Sequence, residues 1–223
     1  MASKTFSNIS KEKQDRVLRA AQVEFAANGY HKANINDICE RAGISNGALY
    51  KYFKNKSDLY EAVIMRQVEG KDEYMRSVVA SDASCLGKIR MLMENTQTDA
   101  DARNDTFRIL LQLGTSDMDS FARKVTRRIE ATSVKYFRAI LTQGIERGEV
   151  RSDIDVPMIA HIVGGLCFFL YSGFVSTYHS LRLEEYFGVP FTGKRKSHTQ
   201  YVDRMLGWLE EILSPAERPG ANA

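Results

Sequence analysis

Residues 34–56, NINDICERAGISNGALYKYFKNK, join a short amphipathic segment to a second short segment that is small, aromatic and basic. Apolar residues recur at helical spacing in the first segment, and Asn34 is suited to cap its start. Gly43 ends this helix, and Ser45 can cap the next one. Two short helices joined by a tight glycine turn predict a helix-turn-helix motif.

The second helix of this motif has the composition of a helix that enters the major groove of DNA. Its N-terminal end must be slim where it meets base edges, which accounts for Asn46, Gly47 and Ala48. The residues that follow can contact phosphate or sugar: Tyr50, Lys51, Tyr52, Lys54 and Lys56. Taken singly, each favours an alternative in which the tyrosines are core aromatics and the lysines only keep the surface soluble. Their combination behind this turn favours DNA.

The excess positive charge of the chain lies in its N-terminal third. The 223 residues carry 31 Lys and Arg against 28 Asp and Glu. Residues 1–66 contain 11 basic against 7 acidic residues, and the remainder contains 20 against 21. This asymmetry indicates a basic module that binds phosphate, although charge alone equally allows a solvated surface.

Composition and cysteine usage predict a globular cytoplasmic protein. A hydrophobic content of 43% can fill a sizeable core. Cys39, Cys85 and Cys167 are far apart, and the N-terminus lacks the apolar segment of a signal peptide. Small buried hydrophobes are the favoured role of these cysteines, and a redox-sensing thiol is the alternative.

The run GYHKANINDICERAGISNGALYKYFKNKSDLYEAV, residues 29–63, resembles the N-terminal signature of TetR-type transcriptional regulators. In that signature a glycine-aromatic pair ends the first helix, and the pattern I..RAG(I/V)S.G.LY.(Y/H)F..K..L leads into a fourth. The resemblance covers about residues 10 to 65. It implies DNA contacts from Asn34, Ser45, Asn46, Gly47, Ala48, Tyr50, Lys51, Tyr52 and Lys56. Asn34 and Ala48 replace threonines that are usual in the family, so Ala48 can read DNA only by shape or by a thymine methyl group.

The predicted fold is all-α, with a three-helix DNA-binding domain over residues 1–56 and a larger helical domain over residues 57–223. The resemblance assigns effector binding and dimerisation to the second domain. Ser57 is predicted to cap its first helix. A long helix is predicted from Ser116 to about Arg147, and residues 183–198 are predicted to form a surface excursion.

Residues 158–178, MIAHIVGGLCFFLYSGFVSTY, form a helix-length apolar segment without a full charge. Its length approaches that of a membrane span, but His161, three glycines and several hydroxyls interrupt it. A helix that is apolar all round must be covered by protein, which favours a partner subunit over a membrane. The plan of TetR-type proteins implies a four-helix homodimer contact. The candidate interface residues are Gly164, Gly165, Phe169, Phe174, Met205, Trp208, Leu209 and Ile212.

Effector-binding residues can be proposed only from composition. The candidates are Met91, Met93, Phe107, Leu110, Leu111, Phe121, Tyr136, Phe137, His161, Phe168 and Tyr171. They would suit a small, largely apolar or aromatic effector. For each of them, ordinary core packing is the more frequent role.

The sequence shows no phosphate-binding loop, no histidine pair at metal-ligand spacing and no nucleophile elbow. No catalytic residue, metal site or cofactor is therefore predicted. The favoured hypothesis is a homodimeric repressor that an effector releases from double-stranded operator DNA. The alternatives are an enzyme in the C-terminal domain and an effectorless, non-specific DNA-binding protein, the latter expected to carry a larger basic excess.

Overall fold

The computed structural model describes residues 2–96, 100–115, 118–192 and 195–215, without the side chains of 100–104, 120 and 124. The long elements in these ranges are all helices, which confirms the predicted all-α class. They are α1 (Lys4–Ser7), α2 (Lys11–Lys32), α3 (Ile35–Ala42), α4 (Asn46–Tyr52), α5 (Lys56–Ala80), α6 (Cys85–Glu94), α7 (Ala100–Gln112), α8 (Asp119–Glu146), α9 (Val156–Val175), α10 (Thr177–Phe187) and α11 (Arg195–Leu213).

The chain divides into two compact units. The first comprises Met1–Lys71 and Asp101–Ile129, and the second comprises Asp72–Ala100 and Glu130–Ala223. The division therefore falls within α5 and within α8, whereas the predicted boundary lay between residues 56 and 57. The assignment of residues 1–56 as the DNA-binding domain stays a prediction.

The core of the first unit combines the helices of the predicted DNA-binding region with residues of α5, α7 and α8. Phe25 of α2, Ile38 of α3 and Leu59 of α5 are buried in it. Leu49 and Phe53, four residues apart at the end of the motif, are buried as well. These two side chains face inward as predicted and hold α4 on its neighbours.

The helix-turn-helix begins and ends where the sequence predicted. The Asn34 side chain accepts a hydrogen bond from the Asn36 amide at 2.9 Å and caps α3. Gly43 ends α3 in the left-handed conformation, at φ 63° and ψ 43°. The Ser45 hydroxyl then accepts from the Ala48 amide at 3.2 Å and caps α4.

The start of α5 differs from the prediction. The helix begins at Lys56, and Oδ1 of Asn55 accepts from the amide of Asp58 at 2.8 Å. Asn55 therefore provides the cap that was expected from Ser57. Both residue types cap helices well, so their order in the sequence does not decide between them.

The second unit has a separate core in which α6 contacts both α9 and α11. Helix α9 ends at Val175, because Ser176 takes an extended conformation before α10 begins. Helix α10 replaces the first part of the predicted excursion, and α11 already includes residues 195–198. Lys194 lies outside the described residues.

Helix α9 is long and apolar enough to cross a membrane by length and composition alone. One third of its most apolar window, 33%, is buried inside the chain. Core helices of other proteins pass the same test, so the finding does not assign the helix to a membrane. It does show an apolar surface that the chain itself leaves uncovered.

The close packing of Gly144 in α8 gives a test of the second core. A Cβ added there would lie 2.8 Å from both Cys85 Cβ and Val150 Cγ2. We expect Gly144→Ala to lower the free energy of unfolding by about 1 to 3 kcal/mol, since its neighbours would have to move. Gly70→Ala is the matched control, because that helical glycine has no atom within 4 Å of the added Cβ. It should leave stability unchanged or raise it by about 0.5 to 1 kcal/mol in denaturant titrations. An equal effect of the two changes would contradict the packing.

Candidate functional site

The exposed surface of α4 carries most of the predicted DNA-contacting residues. Asn46, Gly47, Tyr50 and Lys51 are exposed, and 55% of Tyr50 is accessible. The Ser45 hydroxyl caps the first turn by accepting from the Ala48 amide, and the turn at Gly43 sets the direction of the helix. The helix therefore presents a slim end, a phenol and an ammonium group to solvent.

Tyr52 does not lie on this exposed surface of α4. Only 6% of this residue is accessible, and its ring centroid lies 5.5 Å from that of Phe6. The ammonium group of Lys13 lies 6.0 Å from the same ring centroid. The structure thus places the Tyr52 ring in the core and not on the surface where a DNA contact was expected.

Carboxamides and a carboxylate form a polar network at the N-terminal ends of α3 and α4. Nδ2 of Asn46 donates to Oδ1 of Asn36 at 2.6 Å. Nδ2 of Asn34 donates to Oδ1 of Asp37 at 3.0 Å. These residues are exposed. Carboxamides are suited to read adenine in the major groove. Asn36 was not a predicted site residue, because its pairing with Asn46 depends on the fold and not on local spacing.

Lys56 is held by the end of α2. Its ammonium group donates to the carbonyl oxygens of His31 at 3.0 Å and Ala33 at 3.3 Å. It also lies 5.1 Å from the ring centroid of Tyr30. Since an ammonium group has three N–H donors, at most one remains for a phosphate in this arrangement.

The segment of residues 2–9, which we call the N-terminal segment, packs on α4. Phe6 of this segment is 5% accessible, and its ring centroid lies 4.7 Å from that of Phe53. The sequence analysis did not identify this segment as part of the site. No local motif marks it, because its contacts with α4 join residues more than forty positions apart along the chain.

The predicted effector residues are divided between the two units. Phe107, Leu110, Leu111 and Phe121 belong to the first, and the other seven to the second. Phe121 packs as a core aromatic, with ring centroids 5.6 Å from Tyr30 and 5.0 Å from Tyr60. In the second unit the core contains Met93, Tyr136 and Phe137. Three of the predicted effector residues, Met91, His161 and Phe168, are exposed on the surface of the second unit, and Tyr171 is half-buried.

A groove of about 780 Å³ opens in the second unit between α5, α6 and α11. Of the predicted residues, Met91 alone lines it. The full lining is Tyr74, Met91, Glu94, Asn95, Arg195, His198 and Thr199. The groove therefore combines an aromatic ring and a thioether with charged and hydrogen-bonding groups.

His198 is the buried polar group of this groove and is 1% accessible. Its Nε2 lies 2.6 Å from Oγ1 of Thr96, which donates its own proton to the carbonyl of Met93 at 2.7 Å. A Thr96 hydroxyl that donates to Met93 accepts from Nε2, an arrangement that corresponds to a ring with its proton on Nε2. Burial lowers the pKa of His198, opposed by the Glu94 carboxylate, and so favours the neutral ring.

The predicted interface residues fall into two groups. Phe169 and Trp208 are 41% and 45% accessible, and Gly164, Gly165, Phe174 and Ile212 are half-buried. Met205 and Leu209 are buried in the core of their own unit, which leaves little of them for a partner. The apolar residues of α11 lie on two faces of the helix. The sequence alone does not show which face packs inside the unit and which remains exposed.

The three cysteines are buried, and none of them forms a disulfide. Burial, with a smaller effect of the Glu149 carboxylate, raises the pKa of the Cys85 thiol to about 11. Burial also raises the pKa of Cys39. Both thiols are therefore protonated near neutral pH and suited to a packing role.

Comparison with known proteins gives one family and a shared fold. Residues 17–63 match the bacterial regulatory proteins of the tetR family. The Fatty acid metabolism regulator protein of Bacillus subtilis (strain 168) is 25% identical over 155 residues, which cover 70% of this chain and 79% of that protein.

Two solved structures are similar in fold. The transcriptional regulator FadR from Bacillus subtilis, in complex with stearoyl-CoA, has a TM-score of 0.68 at 20% identity, covering 88% of this chain and 97% of FadR. The TetR family regulator CifR was solved as a cysteine mutant with a 26-bp operator DNA. It also has a TM-score of 0.68 at 20% identity, covering 87% of this chain and 95% of CifR.

The different burial of two neighbouring tyrosines can be measured without DNA. Tyr52→Ala should lower the free energy of unfolding by about 3 kcal/mol, because it removes a buried ring from contact with Phe6. Tyr50→Ala should change it by less than about 0.5 kcal/mol, because that ring is exposed. Chemical denaturation of both variants checks this, and similar losses would show that the two rings are not differently placed.

Proposed function

We propose that this chain, which belongs to the TetR family of transcriptional regulators, is a homodimeric repressor whose operator binding is relieved by an effector. The observation that carries the proposal is the exposed face of α4. It lies directly after the left-handed turn at Gly43 and beside the polar network of Asn34, Asn36 and Asn46.

In the proposed complex α4 enters the major groove with its N-terminal end. Asn46 and Asn36 face base edges, and Gly47 allows close approach. Tyr50 and Lys51 contact the phosphate backbone, which fixes the register of the protein. Ser45 and Ala48 complete the surface, and Lys56 contributes with the single N–H that its bonds to α2 leave. Tyr52 supports α4 from the core.

The proposed dimer covers the exposed apolar surface of α9 and α11. Met158, Phe168, Phe169 and Trp208 are all more than one third accessible in the single chain. Exposed apolar side chains in such number mark an interaction surface. A two-fold dimer would place its two α4 helices on half-sites about 34 Å apart, one turn of the DNA duplex.

For the effector we propose a molecule with a long acyl chain and an anionic group. The names of the Bacillus subtilis regulators, one of which was solved with stearoyl-CoA, support this choice. The groove offers Tyr74 and Met91 for an apolar part and Arg195 for an anionic part. A smaller apolar or aromatic effector is the alternative within the same proposal. We propose no catalytic activity for the chain.

Operator binding can be tested by selection from random duplexes followed by direct titration. The wild-type protein should select a roughly symmetric sequence. Tyr50→Ala should weaken binding to it about tenfold, since a backbone contact is lost. Lys51→Ala should also reduce the slope of log affinity against log salt by about one unit. The matched control is Lys196→Ala, an exposed lysine of the second unit, which should change neither quantity.

Failure of the wild-type protein to select any sequence would remove the regulator function and favour non-specific DNA binding. A normal salt slope for Lys51→Ala would remove that lysine from the phosphate contacts while leaving the function in place.

The effector proposal can be tested with stearoyl-CoA as the probe. It should release the wild-type protein from the selected operator. Arg195→Ala should require about tenfold more of it, because a charge-assisted hydrogen bond is lost, with operator affinity unchanged. Arg138→Ala, which removes an exposed arginine of the same unit outside the groove, is the control. Release by an aromatic compound but not by stearoyl-CoA would replace the acyl effector, and equal behaviour of the two variants would place the site elsewhere.

A further inference from the structure

The N-terminal segment makes two backbone contacts with the last turn of α4. The amide of Ser3 donates to the carbonyl of Tyr52 at 2.9 Å, and the Ser3 hydroxyl donates to the carbonyl of Lys51 at 2.7 Å. The last four carbonyl groups of a helix have no intrahelical donor. Ser3 therefore satisfies two of these groups in a helix of only seven residues.

The same segment covers the aromatic side of this turn. Phe6 lies three residues after Ser3 and packs on Tyr52 and Phe53, with ring centroids 5.5 Å and 4.7 Å away. The Ser3 hydroxyl also accepts from the Phe6 amide at 3.3 Å and caps α1. Ser3 therefore both caps the helix of the N-terminal segment and binds this segment to α4.

A helix of seven residues is not stable by itself in water, so its last turn keeps its geometry through tertiary contacts. Tyr50 and Lys51, the proposed phosphate contacts, extend from this turn. A small shift of their backbone changes the distance and angle of the hydrogen bonds that they can make to a phosphate. The bonds from Ser3 act on the peptide groups that set those positions.

We propose that Ser3 is a positioning residue for operator binding, and that the N-terminal segment supports the α4 surface that reads DNA. The segment lies outside residues 17–63, which match the tetR family. The inference rests on the proposed function, in that α4 must read an operator for its positioning to matter.

The test compares two serines that cap helices in the same way. Ser10 caps α2 by accepting from the Lys13 amide at 3.3 Å, the same distance as from Ser3 to Phe6. Among the described residues its hydroxyl makes no hydrogen bond to α4. Ser3→Ala should weaken binding to the selected operator about threefold to tenfold, with less than about twofold change for a random duplex. Its salt slope should not change, since no charge is removed. Ser10→Ala should leave operator affinity within about twofold, and Ser3→Thr should restore it because the hydroxyl is kept.

A measurement without DNA separates this inference from the function on which it rests. In hydrogen exchange the peptide that contains residues 49–53 should exchange about threefold faster or more in Ser3→Ala than in Ser10→Ala. Equal exchange in the two variants, or an equal loss of operator and random-duplex binding in Ser3→Ala, would overturn the positioning role. A wild-type protein that selects no sequence overturns the proposed function, and faster exchange in Ser3→Ala would then describe only a helix cap.

Discussion

The left-handed backbone at Gly43 is the constraint on which the DNA-reading part of the protein depends. With φ at 63°, the chain leaves α3 and turns sharply enough for α4 to begin three residues later. A side chain at this position would strain the backbone, because Cβ approaches the neighbouring carbonyl oxygen in this region. The amide of Gly43 and that of Ile44 both donate back to α3, at 3.1 Å and 3.0 Å. The direction of α4, and with it the polar network of Asn36 and Asn46, follows from this turn.

The sequence predicts a contact well when the two interacting groups are close along the chain, and poorly when they are far apart. The caps formed by Asn34 and Ser45 act over two or three residues, and the sequence predicted both. The burial of Tyr52 depends on Phe6, and the bonds of Lys56 depend on His31 and Ala33. No periodicity connects such positions, so tyrosine and lysine in a basic helix were both expected to face DNA. The cap at Asn55 shows the remaining case, in which two equally suitable residues compete within two positions.

Helix α9 illustrates a limit of composition in the second unit. An apolar sequence predicts that a helix is covered, but not by what. Its own unit buries Val163 and Leu170, while Phe168 and Phe169 on the same helix stay accessible. For α11 the same division separates Leu209, which is internal, from Trp208, which is exposed. Adjacent residues of one apolar run therefore serve different surfaces, and only the packing of neighbouring helices separates them.

Charge and thermodynamics set the conditions under which such a protein can work as a switch. The first unit contains 18 Lys and Arg against 12 Asp and Glu, and the second contains 13 against 16. The net positive charge that favours binding to phosphate therefore lies in the first unit. Release must then come from an effector that binds the DNA-incompetent state more tightly than the competent one. To reverse a 99:1 preference for the DNA-competent state, the effector must bind the incompetent state about 10⁴-fold more tightly. With two equivalent sites in a dimer, each site needs a preference of about 100-fold. An acyl chain satisfies this requirement easily if only a few methylene groups become buried in one state and not in the other, since each is worth about 0.8 kcal/mol.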